Sequence, residues 1–133
     1  RYRRDMVGQL QEMLKDARSG RAFIEQVFVG VSEETRGKDA RRGCLVMNTA
    51  SEFAQSDPEI AKLVKQGTIA FAEVFEAAIL QAQEEGDIPQ GADAGLLAKY
   101  LVSSLSGLKT MVKAGSNAGE IEAIAKVTLQ ALE

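Results

Sequence analysis

Histidine and tryptophan are absent from this chain, and cysteine occurs once, at Cys44. A single cysteine forms no internal disulfide, and without histidine the usual Cys/His zinc sites cannot be assembled, so neither a metal nor a cofactor is expected. The missing histidine also removes the commonest general base and the usual activation of a serine or cysteine nucleophile. Proton transfer would fall to carboxylates, lysine and tyrosine, so no catalytic residue is assigned and an enzyme is disfavoured. There are only two prolines, and against abundant Ala, Leu, Glu, Gln and Lys that scarcity favours helix over sheet. Long apolar runs are lacking as well. The longest, Ile69 to Leu80, is broken by Glu73 and Glu76 and is too short to span a bilayer, and no secretory signal pattern opens the chain. Cytoplasm is the expected compartment.

What is present is the material of one all-α domain. The 133 residues, 45% apolar and 26% charged, suffice to bury a core without staples. Net charge is −3, divided unevenly: residues 1–42 hold ten Lys/Arg against seven Asp/Glu, and residues 43–133 hold six against twelve. A chain that gripped DNA by itself would carry a dense basic face. Apart from Arg1, Arg3, Arg4 and the pair Arg41-Arg42 none is seen, so direct DNA binding by these residues is not expected.

Helical periodicity organises the chain into about six helices. Met6, Leu10, Met13 and Leu14 share one face of the first, which is helical in pattern from its first residues. Ser19-Gly20 punctuates, and Phe23, Ile24, Val27, Phe28 and Val31 mark a second helix, before a polar stretch from Glu33 to Arg42 read as a loop. Gly43 introduces a short third helix ending near Ala54. Ser56-Asp57-Pro58-Glu59 is a strong start signal for a long helix to about Glu85, with Ser56 or Asp57 as cap and Glu59 placed to complete a capping box. Gly86-Asp87-Ile88-Pro89 stops it. A helix from about Asp93 to Lys113 follows, and after Gly115 a Ser116 or Asn117 cap opens the last one.

The two closing helices carry apolar stripes. Leu97, Leu101, Ser104, Leu108 and Met111 recur at steps of four and three, with Leu105 and Val112 alongside, and the last helix offers Ile121, Ile124 and Leu132. One reading pairs these stripes with a second copy in a four-helix bundle, where Ser103, Ser104 and Gly107 allow close approach. The other turns them into the chain's own core. Periodicity alone does not separate the two.

The run Arg41-Arg42-Gly43-Cys44-Leu45-Val46-Met47-Asn48-Thr49-Ala50-Ser51-Glu52, followed by Asp57-Pro58-Glu59-Ile60, resembles the ligand-domain signature of a large subgroup of the TetR family of transcriptional repressors. Gly86-Asp87-Ile88-Pro89 and the two closing helices match that family in order and spacing. The resemblance implies that residues 1–133 form a single effector-binding and dimerisation domain, with residues 1–16 the tail of the helix that links it to a DNA-binding helix-turn-helix head absent from this sequence. It further implies a homodimer whose interface includes Leu97, Leu101, Leu105, Leu108, Val112, Ile121 and Ile124. A small-molecule effector would shift that dimer away from the head spacing that fits operator DNA.

In this family the pocket lies among the middle helices, so the resemblance points to Phe23, Val27, Met47, Phe71, Phe75 and Tyr100 as apolar lining. Asn48, Ser51 and Ser104 are the polar candidates, since hydroxyls and amides on apolar helices need partners when buried. A wall with several aromatics and few charges implies a lipophilic or aromatic effector. Each apolar residue in this set is more often plain core than ligand contact, and the polar ones have the alternative of a hydrogen bond to a neighbouring helix or simple exposure. Cys44, just after Gly43 at an expected helix start with Arg41 and Arg42 nearby, is a candidate redox or electrophile sensor against the plainer reading of a small buried hydrophobe. Glu73 and Glu76 share a helix face, but with no histidine and no second carboxylate pair they read as solvated or salt-bridged. Beside the regulator stands one alternative, a self-standing helical interaction module without effector.

Overall fold

The computed structural model describes residues 2–35 and 57–133. Five helices are found there: α1 (Tyr2–Asp16), α2 (Gly20–Glu34), α3 (Pro58–Glu85), α4 (Ala94–Lys113) and α5 (Ala118–Gln130). The third helix expected from the sequence, beginning at Gly43, lies outside the described residues. The second expected helix ends later than its sequence suggested, running on through Glu33 and Glu34 to a C-cap at Thr35.

Local signals set the ends of these helices. Asp57 is the N-cap of α3, its carboxylate accepting from the Glu59 amide at 2.9 Å, with Pro58 in the first turn. Ser56, the other cap candidate, lies outside the described residues. Gly86 ends α3 in the left-handed region (φ 84°), and the Asp87 amide reaches back to the Ala82 carbonyl at 2.9 Å. Only glycine takes that conformation without cost, and buried Ile88 then closes the helix end as an apolar plug. The Gln83 amide nitrogen donates to the carbonyls of Pro89 and Ala92, both at 3.0 Å, so a buried polar side chain organises the whole turn into α4. Asp93 and Asn117 cap α4 and α5 in turn.

Helix α3 is the central element, packed against α1, α2 and α4, while α2 also packs on α4 and α5. Its contact with α2 is close because of Gly20: a Cβ there would strike the Ala78 carbonyl oxygen and lie 3.0 Å from the Ala82 amide. The core centres on Phe75 of α3, whose ring lies 6.0 Å from Phe23 and 6.4 Å from Phe28 of α2, tilted by 47° to each. Ile24, Ile79, Leu101, Leu108, Ile121 and Leu132 complete it. Each such burial contributes about 1.5–3 kcal/mol, and tilted ring pairs add about 0.5–1.5 kcal/mol. No helix among the described residues is long and apolar enough to cross a membrane.

Candidate functional site

Among the described residues, three helix faces and one aromatic ring line a half-open cavity of about 210 Å³. From α1 come Met6, Gln9, Leu10 and Met13, and from α2 Gln26, Val27, Gly30, Val31 and Glu34. Phe71 of α3 and Val102, Leu105, Ser106 and Lys109 of α4 complete the wall. On each of α1, α2 and α4 the lining positions recur at three and four residues, so a single stripe per helix faces the space. Gly30 adds room. Among the described residues outside its own helix turn, nothing lies within 4 Å of where its Cβ would stand.

The lining is apolar in its depth and polar at its edge. Val31 and Val102 are buried, whereas Gln9, Gln26 and Ser106 are exposed and form the rim. Among the described lining residues, Glu34 and Lys109 ionise, and they pair across the gap between α2 and α4 at 3.2 Å. The volume exceeds the ~150 Å³ of an engineered cavity that admits benzene and falls short of the ~300 Å³ at which drug-sized sites begin. Among the described residues, no three His, Cys, Asp or Glu gather to hold a metal ion.

Of the expected lining residues, Val27 and Phe71 meet in this wall. Phe23 and Phe75 lie one layer deeper, as fully buried core. Tyr100 is on the outer side of α4, 41% exposed. Ser104 is hydrogen-bonded to Thr128 of α5 at 2.8 Å. Because the single Thr128 proton goes to the Ile124 carbonyl, Ser104 is the donor of that pair. Met47, Asn48, Ser51 and Cys44 fall outside the described residues. Reasoning from sequence missed the α1 contribution, although the stripe Met6, Leu10, Met13 was visible in it. It also missed Glu34 and Lys109, which are 75 positions apart and carry no local signal.

The stripe on the closing helices turns inward. Leu101, Leu108, Val112 and Ile121 are buried in the chain's own core, Leu97 and Ile124 pack against that core, and Leu105 lines the cavity. Their burial therefore needs no second copy. The apolar groups that α4 and α5 leave outward are Leu96 (65% exposed), Tyr100 and Val127 (63% exposed). With them lie the small residues Ser103, Gly107 and Ala123, also exposed. Among the described residues outside its own helix turn, a Cβ at Gly107 would meet nothing within 4 Å.

Residues 21–127 match the family model described as "Tetracyclin repressor-like, C-terminal domain". Two curated relatives are similar over most of the chain. The HTH-type transcriptional regulator YezE of Bacillus subtilis (strain 168) is 23% identical over 125 residues, covering 93% of this chain and 64% of that protein. The HTH-type transcriptional repressor ComR of Escherichia coli (strain K12) is 21% identical over 119 residues, covering 90% of this chain and 57% of that protein. The chain thus spans about three fifths of the length of these relatives. No solved structure matches it significantly. With most of its length matched by that family model, and all its described elements helical, the chain belongs to the TetR family of transcriptional regulators as a C-terminal domain.

Proposed function

We propose that this domain is the ligand-sensing and dimerising part of a transcriptional repressor, and that a small lipophilic or aromatic effector enters the cavity between α1, α2 and α4. The observation that carries this reading is the composition of the wall. Four of the lining residues belong to α1, the helix that the family resemblance assigns to the link with a DNA-binding head. A ligand that wedges against Met6, Leu10 and Met13 pushes on the element that would set head spacing. Differential affinity for the displaced position of α1 is all that a population shift requires. The intact regulator would release its operator when the two heads no longer fit successive major grooves. Dimerisation uses the outward surface of α4 and α5 around Tyr100, Gly107 and Val127, where small residues permit close helix approach. No step of this reading requires bond-making chemistry, and the protein acts as a regulator rather than an enzyme.

The test is a thermal-shift screen of small lipophilic and aromatic compounds against the chain and its Gly30→Leu variant. The variant fills the cavity without a backbone clash. Compounds that raise the melting temperature of the parent and not of the variant support the reading, since a ligand at 100 times its Kd adds about 2.7 kcal/mol. Compounds that stabilise both equally would place the effector elsewhere.

A further inference from the structure

We infer that the cavity selects an uncharged ligand, an apolar body carrying one neutral hydrogen-bonding group, over the corresponding acid or amine. The inference rests on the reading of the cavity as the effector site and adds the charge class of its occupant. The Glu34–Lys109 pair carries it: the ionisable groups among the described lining residues are one anion and one cation, held together at 3.2 Å with side chains 34% and 20% exposed.

Such a pair offers little to a third charge. Lys109 holds a further interaction besides Glu34, so an incoming carboxylate finds a cation that is already satisfied. An incoming ammonium would have to draw Glu34 away from Lys109, exchanging one ion pair for another with nothing left to offset the water it gave up. Deeper in, the wall includes buried Val31 and Val102, where either ion would lose its hydration without gaining a partner. A neutral head group escapes both costs. Its place is the rim, where Gln9 of α1 and Gln26 of α2 are exposed and present amides that donate and accept alike. Behind the rim Met6 and Met13 supply thioethers, whose polarisable sulfur suits the edge of an aromatic ring. The arrangement also has a mechanical result. The ion pair that ties the end of α2 to α4 stays closed, so the ligand's contacts with α1 fall on the helix that is free to respond.

Phenylacetamide, phenylacetate and phenethylamine share one body and differ in charge, and toluene is that body without a head. Each is titrated at neutral pH into the chain labelled with ¹³C at its methionine methyls, with Met6 and Met13 assigned through Met6→Leu and Met13→Leu. The expected result is saturable movement of both signals by phenylacetamide at a Kd about threefold or more below that of either ion, the scale set by burying a charge without a new partner. Lys109→Met, which leaves the Glu34 carboxylate without this partner, should tighten phenethylamine several-fold and weaken phenylacetate. Gln9→Ala combined with Gln26→Ala should weaken phenylacetamide about two- to tenfold, the range of one neutral hydrogen bond, and leave toluene unchanged. A smaller gap between amide and ions, no gain for phenethylamine in Lys109→Met, or a glutamine variant that weakens phenylacetamide no more than toluene would overturn the inference while leaving the cavity as the effector site. Failure of every probe to move either methionine at millimolar concentration would overturn both.

Discussion

The carboxylate of Glu85, at the end of α3, accepts a hydrogen bond from the backbone amide of Gly20, at the start of α2, across 2.9 Å. Ser19 caps the same helix by accepting from the Ala22 amide at 3.0 Å. A negative charge and a hydroxyl thus share the free amides of α2, while the missing side chain of Gly20 lets the two helices touch. The pair predicts two effects of different size. Glu85→Ala should cost about 1 kcal/mol through loss of a charge-assisted cap. Gly20→Ala should cost more, about 2–3 kcal/mol, because its Cβ meets backbone rather than a movable side chain. Urea denaturation of both variants checks the order, and a milder Gly20→Ala would contradict the packing described.

The Ser104–Thr128 bond joins α4 to α5 at a buried position. Thr128→Val keeps the shape and strands the Ser104 hydroxyl, at a cost of about 1–2 kcal/mol. Adding Ser104→Ala removes the stranded donor. The double variant should therefore be less destabilised than the sum of the singles by about 0.5 kcal/mol or more, which a double-mutant cycle in urea reads directly.

Among the described residues outside its own helix turn, a Cβ at Gly107 would meet nothing within 4 Å, and Gly107 itself is exposed. Gly107→Trp should leave the helical content and melting of the isolated protomer nearly unchanged while raising the dimer dissociation constant about 100-fold or more, the scale of a disrupted interface centre. Sedimentation equilibrium supplies the test. A variant that dimerises as tightly as the parent would move the interface away from this face of α4.

Capping and stop signals were legible in the sequence because they act over a few residues: Asp57-Pro58 and Gly86 bound α3, and Asp93 and Asn117 open the next two helices. The stripe through Leu101, Leu108 and Val112 was equally visible, but a heptad pattern has the same period whether it faces the chain's own core or a second copy. The sequence therefore left its direction open, and the contacts with α2 and α3 turn it inward. The cavity was the least legible feature. Val27 and Phe71 emerged as candidates from their helices, whereas the Glu34–Lys109 pair and the α1 wall depend on which helices pack together. Phe23 and Phe75 show the converse, since an aromatic on a middle helix is core or lining according to a single layer of depth.

If the cavity governs the position of α1, the distance between the α1 helices of the two copies in a dimer must change on occupancy. Gln11 is exposed on α1, and Cys44 is the only native cysteine, so a Gln11→Cys, Cys44→Ser chain carries one spin label per protomer. Pulsed electron–electron double resonance on the labelled dimer, with and without a saturating compound from the thermal-shift screen, measures the separation. The account predicts a shift of about 1–2 Å or more, the scale of helix displacements in switching proteins. A distance distribution unchanged while the thermal shift reports a filled cavity would contradict it.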